Sequence, residues 1–301
     1  MKNYLTLPKR LILALNKKKY YFSIKYFYLI LIILISVKTT YASGYKGIFP
    51  IDSFLIFDGG YKIINGFYPF KDYWSITGPI LDYFQSIIFY IFGINWATYI
   101  FHAALVNTIL SLTSYYFFCQ LGVKKILSFA YAISTAILAY PSVGSPFMDH
   151  HATIFSLMAL MFMILAIKKH LYAYWFLIPV LLGISFFSKQ IPSAYLTILF
   201  VFTILIYFYL NKFKKKKEIF YFLGGFLFFV FFIVSIALIN KIPFNNFITQ
   251  YIMYPLNLGQ ERTSSLVLDF QNTFLQFKYI YIAILPAIIS AVFISKKNNK
   301  E

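Results

Sequence analysis

The sequence predicts an all-α, polytopic integral membrane protein with about eight transmembrane helices. Three observations carry this reading. The 301 residues are 60% hydrophobic and only 12% charged, where a soluble domain has roughly 25% charged residues. Several stretches run almost uncharged for long enough to cross a hydrocarbon core of about 30 Å. The 27 basic residues cluster at the ends of those stretches, as the positive-inside rule requires.

Taken in order, a basic segment over 1–21 precedes an apolar run that reaches Val37 without a small-residue cleavage site. It reads as a retained first span over 22–37, not a cleaved leader. Further spans are predicted over 96–118, 126–141, 151–167, 171–187, 194–210, 219–240 and 278–295. The apolar stretch 79–93 differs from them. It opens on Pro79, contains Asp82 and Gln85, and as a helix would rise only about 22 Å. If it lies along the surface with the N-terminus inside, 19 of the 27 basic residues face the cytoplasm; if it spans, only 11 do. The first arrangement obeys the charge rule, so 79–93 is predicted to be an interfacial amphipathic helix.

The same topology puts Asp52, Asp58, Asp72, Asp82, Asp149, Glu261 and Asp269 outside, leaving only Glu218 and Glu301 inside. Acids contribute little to orientation, so their segregation marks the outer face as the chemical one. The organisation is a basic N-terminus over 1–21 and a membrane module over 22–240, whose first outer loop, 38–95, carries the surface helix. An outer loop over 241–277 follows, then a last span and basic tail over 278–301. No internal repeat interrupts this order.

Several function classes are excluded. The net charge of +18 comes from helix-end clusters, not from a basic face interleaved with exposed aromatics, so nucleic acid is not a partner. One cysteine, Cys119, rules out an intramolecular disulfide. There is no Gly-rich nucleotide loop, GxSxG or HExxH.

Three outer-face groups carry candidate chemistry. The loop 50–78 holds Asp52, Asp58 and Asp72 among Gly, Pro and aromatic residues; carboxylates beside a bilayer are expensive unless they act or pair. A short helix is expected from Tyr61 to Asn65, ending at Gly66. The segment 141–151, PSVGSPFMDHH, brings Asp149, His150 and His151 to the mouth of a span. Asp with adjacent His suits a divalent metal or proton transfer, or Asp149 serves as a helix N-cap. Lys189 and Gln190 occupy a short outer connector, where an ammonium can hold a lipid phosphate or snorkel. Arg262 in the last outer loop offers a bidentate phosphate ligand or pairs with Glu261. His102 and His170 read as structural.

The run Asp52 … Gly66-Phe67-Tyr68-Pro69-Phe70-Lys71-Asp72 … Gly78-Pro79, closing on Phe92-Gly93, resembles the first outer loop of GT-C glycosyltransferases. That superfamily uses polyprenyl-phosphate sugars and includes protein O-mannosyltransferases and the aminoarabinose transferase of lipid A. The resemblance covers roughly residues 20–240 and implies an enzyme of the outer face of a bacterial-type inner membrane. It would invert the sugar it moves from a polyprenyl-phosphate donor to a glycan, lipid or protein hydroxyl. Asp52 matches the family's catalytic or metal-binding acid and Asp149 its second acidic site. Ser53 stands where relatives often carry a second acid, which leaves Asp58 as an alternative base. A divalent metal, if used, would sit on Asp52, Asp149 and His151. Asp72, His150, His151, Lys189, Gln190 and Arg262 are the expected substrate-binding residues. Two other classes compete: a transporter or flippase, which calls for charged or broken helices at the membrane midplane, and a non-catalytic partner in envelope glycan assembly.

Overall fold

A computed structural model describes residues 7–47, 52, 54–141, 143–264 and 275–298. Among these the regular structure is entirely helical, apart from one isolated bridge between Pro69 and Tyr73. Two compact units divide the chain after Tyr251.

In the first unit α1 runs Leu7–Gly44, α2 Leu55–Ile64, α3 Pro79–Phe92, α4 Trp96–Gln120 and α5 Lys125–Leu138. Then come α6 Met148–Lys169, α7 Tyr172–Ser188, α8 Gln190–Leu210 and α9 Lys216–Ile239, and the unit closes on a short turn, α10, Phe244–Phe247. A π-helical turn, Ile248–Met253, follows. The second unit holds α11 Tyr254–Ser264, a 3-10 turn at Leu275–Phe277 and α12 Lys278–Asn298.

The predicted helix over 79–93 is observed as α3, one residue shorter. Pro79 opens it, where its missing N–H costs nothing, and Gly93 stops it. Four described helices are long and apolar enough to cross a membrane: Tyr26–Gly44 within α1, then α6, α8 and α9. The sequence predicts about eight. Three of the four absent spans have a local cause. α5 and α7 have only 14 and 17 residues, below the roughly 20 that a perpendicular span needs. α4 has 25 residues but carries His102, Asn107, Thr108, Ser111 and Ser114, all buried. α1 also begins at Leu7, inside the segment predicted as a basic N-terminus.

α1 and α5 pack parallel, Tyr28 against Phe129 and Thr39 against Ala136, whereas α1 and α4 run in opposite directions. The indole N–H of Trp96, opening α4, donates to the carbonyl of Gly44, closing α1, at 3.0 Å. The chain therefore leaves α1 and enters α4 at the same end, and α2 and α3 lie at that end between them. Gly44 and Gly144 meet so closely that a Cβ on either would overlap the other backbone. Deeper in, the Asn107 amide donates to Thr40 Oγ1 at 3.0 Å and Ala136 O at 2.9 Å, joining α1, α4 and α5. The lysine-rich connectors gather at the opposite end. There Lys168 Nζ donates to Leu121 O, and Glu218 accepts from Tyr207 at 2.9 Å and meets His170 at 3.2 Å.

Candidate active site at the loop end of the bundle

The site begins with α2 pressed onto α3. Gly59 and Gly60 face Asp82 and Gln85, and any side chain on Gly59 would strike the Asp82 carboxylate. This packing is why two glycines are tolerated inside a helix, where each costs up to about 1 kcal/mol relative to Ala. It places Asp58 on the outward side of α2, 57% exposed, in an i,i+4 ion pair with Lys62 at 2.6 Å. Asp52 is half-buried in the turn before the helix. The expected short helix does end at Gly66, which has φ +83°, but it starts earlier, at Leu55, and so takes in Asp58.

Asp72 closes the next turn. Its Oδ2 accepts the Tyr68 N–H at 2.8 Å and lies 3.9 Å from Lys71, and the Asp72 N–H donates to Tyr68 O at 2.9 Å. These local bonds hold the Pro69–Tyr73 hairpin that leads into α3.

Asp149 and Lys189 are 40 residues apart in sequence and bonded in space, with Nζ to Oδ2 at 2.7 Å. Asp149 does not cap α6. Phe147 occupies the N-cap position, and Asp149 sits in the first turn, where a negative charge suits the helix dipole. Lys189 is the extended residue between α7 and α8. Gln190 is buried and ties this junction to the first loop: its Nε2 donates to Ile76 O at 2.6 Å and Tyr251 O at 2.8 Å. The start of α6 joins the same locality, because Gly78 packs on Met148 and on the Ser188 carbonyl. Segments bearing Asp72, Asp149, Lys189 and Gln190 are thus brought together.

His150 packs against the Tyr140 and Phe147 rings. His151 points into the core as part of a buried chain. Its Nδ1 meets Phe147 O at 2.9 Å and Tyr140 Oη at 2.9 Å, and its Nε2 meets His102 Nε2 at 3.0 Å. His102 Nδ1 continues the chain to Gln85 Oε1 at 2.8 Å. A carbonyl only accepts, so the hydrogen on Nδ1 of His151 belongs to Phe147 O. Both ring nitrogens are therefore engaged, while Asp149 faces Lys189. Among the described residues no three His, Cys, Asp or Glu side chains gather to hold a metal ion. Asp149 and His151 are each engaged by other partners and do not face each other as metal ligands in this arrangement, and no chemical step is assigned to a metal. The side chain of Arg262 lies outside the described residues, as does Asp269.

Sequence reasoning missed Asp82. Its carboxylate is buried against Gly59 and accepts from Tyr73 Oη at 2.9 Å. Burial holds it well above the usual carboxylate range; the Tyr73 bond and Lys62 oppose that shift, and Asp58 adds to it. The Tyr73 phenol is pushed up by its own burial and then by Asp82, with Lys62 Nζ 4.8 Å from its ring centroid. The available signal was the pairing of Asp82 and Gln85, three apart on one face of α3, with two consecutive glycines in the preceding helix.

Two adjoining apolar cavities lie on the α3 and α9 side of this region. A cavity of about 280 Å³ lies between the Pro69–Phe70 hairpin, the start of α3, Phe187, the end of α9 and α10. A second, of about 380 Å³, lies deeper among α3, Phe155 of α6, α7 and α9. They share Ile80, Tyr83 and Ile236 as lining. The upper one is lined by Phe187, two residues before Lys189, and by Pro79, next to the contact of Gly78 with Met148.

A family model described as dolichyl-phosphate-mannose-protein mannosyltransferase matches residues 77–237. No curated protein and no solved structure matches the chain. The matched part runs from the residue before Gly78 through most of α9, so it contains Asp82, Gln85, His102, Asp149 and Lys189. Asp52, Asp58 and Asp72 precede it. The match covers more than half of the chain and includes α3, α6, α7 and most of α9, which line the two cavities and carry Asp149: the chain belongs to the dolichyl-phosphate-mannose-protein mannosyltransferase family, membrane glycosyltransferases of the GT-C type.

Proposed function

We propose that the protein transfers a sugar from a polyprenyl-phosphate donor to a hydroxyl of a glycan, lipid or protein acceptor, at the outer face of a bacterial-type inner membrane. The observation that carries this is the pair of adjoining apolar cavities between α3 and α9, read here as one channel for a lipid chain, with the lining residue Phe187 two positions before Lys189, which pairs with Asp149. A lipid-linked phosphate needs that juxtaposition: hydrocarbon lining for the isoprenoid chain and a cation where the chain ends. The family match supports the reaction class.

In this reading the lipid chain lies in the channel and Lys189 faces the phosphate, with Asp149 holding the ammonium in place. The acceptor oxygen attacks the anomeric carbon, the bond from that carbon to the phosphate oxygen breaks, and its electron pair leaves with the phosphate. Asp52 takes the hydroxyl proton. One displacement with one base inverts the anomeric centre. Asp52 is favoured over Asp58 because Asp58 is already paired with Lys62. Lys189 stabilises the charge that develops on the leaving group. Asp72 keeps the hairpin in register.

The topology belongs to the same proposal. Eight spans, counting the short α5 and α7 and with α3 at the surface, put the lysine-rich connectors inside and the site outside; this count follows the charge rule and not helix length. The Trp96–Gly44 contact supports this, because it returns the chain to the end it left. So does the outward apolar side of α3, where Ile87, Tyr90, Ile91 and Phe92 are exposed.

The test is turnover by the purified protein in lipid nanodiscs, using a panel of polyprenyl-phosphate sugars. Sugar transfer or release with one donor supports the proposal. No turnover with any donor supports a non-catalytic partner in envelope assembly instead.

A further inference from the structure

Residues 242–251 follow the family-matched segment, yet they reach back to the loop that precedes it. The Asn246 amide Nδ2 donates to Phe70 O at 2.8 Å. Gln250 Oε1 accepts the Ser75 N–H at 3.0 Å. Tyr251 Oη donates to Phe186 O at 2.6 Å, and its carbonyl accepts from Gln190, the residue that also holds Ile76. The amide orientations are set by chemistry: Phe70 O only accepts and Ser75 N–H only donates, so Asn246 must present nitrogen and Gln250 oxygen. The opposite side of this segment is apolar. Ile242, Phe244 and Phe247 line the upper cavity, and Phe247 stacks on Phe187 and Tyr251, with centroids 6.0 and 5.5 Å away. The backbone winds into a π-helical turn at Ile248–Met253, a deviation that recurs at functional sites.

We propose that 242–251 is a strap that seats the first outer loop over the mouth of the lipid channel, with Asn246 and Gln250 as positioning residues for the transfer reaction. The strap has one face on the channel and the other on the loop backbone from Phe70 to Ser75. A lipid chain in the upper cavity therefore bears on the same element that fixes the loop carrying Asp72. This rests on the glycosyl-transfer reading for its catalytic consequence, but the loop contact stands without it.

The two amides act through opposite atoms, which separates positioning from general polarity. Gln250→Glu keeps an acceptor for Ser75 N–H, whereas Gln250→Met is close in shape and has none. Asn246→Asp is isosteric and loses the donor. The experiment measures hydrogen exchange over residues 70–77 and donor turnover for all three variants in nanodiscs. With Gln250→Met and Asn246→Asp, we expect exchange to rise and kcat/KM to fall, each by roughly tenfold for one lost hydrogen bond. Gln250→Glu should stay within about twofold of wild type by the same arithmetic. Unchanged exchange in Gln250→Met, or equal losses in Gln250→Glu and Gln250→Met, overturns the strap. A wild-type protein that turns over no donor overturns the transfer reading instead, and the exchange comparison still decides whether the strap holds the loop.

Discussion

Nζ of Lys189 lies 2.7 Å from Oδ2 of Asp149, joining the residue between α7 and α8 to the first turn of α6. The two side chains are 30% and 41% exposed, so solvent screens the pair and its worth to stability is within about 1 kcal/mol. In the proposed reaction its value is positional: it holds the ammonium that faces the phosphate.

Lys189→Met should therefore leave the thermal unfolding midpoint nearly unchanged while turnover of a polyprenyl-phosphate sugar falls about 100-fold, the scale of losing one preorganised charge stabiliser. The exchange variant Asp149→Lys with Lys189→Asp should restore the pair but not the activity. Recovery of full activity in that double variant would show that the pair is structural only.

Ile236 lines both parts of the channel. Ile236→Trp should obstruct the passage and raise KM for a long-chain donor by about tenfold, a loss of about 1.4 kcal/mol of binding. A donor with a single short isoprenoid should be affected much less. Equal effects on both donors would place the chain elsewhere.

Gly59→Ala forces a methyl into the Asp82 carboxylate. Overpacking of this kind costs about 1–3 kcal/mol, and limited proteolysis should cut the first loop faster. Adding Asp82→Ala should recover most of the loss by vacating the space. No change in proteolysis would mean that α2 is not held by this contact.

Asp82 also sets a pH dependence. Its pKa is raised on folding, by burial first, so the folded protein retains a proton that the unfolded chain has released. The stabilisation is fully present below the ordinary carboxylate range and is lost as pH rises toward the folded value. Tyr73, Asp58 and Lys62 are the groups that face it. Asp82→Asn keeps a neutral side chain beside Tyr73 and should flatten the fall in thermal midpoint between mildly acidic and neutral pH. An unchanged slope would assign the dependence to another group.

Much of the architecture was legible because it follows from composition and periodicity. The bounds of α3 were read to within a residue from Pro79 and Gly93, and Asp72 lies in a local turn that the short Tyr68–Tyr73 stretch builds by itself. The Asp149–Lys189 bond, the strap on Ser75 and the His102–His151 contact were not legible, because each joins residues far apart in sequence and depends on how helices pack. In the sequence Asp82 argues against a span, since nothing local shows that Gly59 would bury it. His151 reads as a metal ligand beside Asp149, yet successive helical residues point in different directions, and it faces the core while Asp149 faces Lys189.

The most direct measurement is sugar transfer by wild type, Asp52→Asn and Asp58→Asn, each in nanodiscs with the same polyprenyl-phosphate donor and acceptor. We expect wild type and Asp58→Asn to transfer sugar, and Asp52→Asn to lose at least about 100-fold, within the range for a general base, while unfolding at the wild-type temperature. Transfer that survives Asp52→Asn and disappears in Asp58→Asn would contradict the assignment of the base.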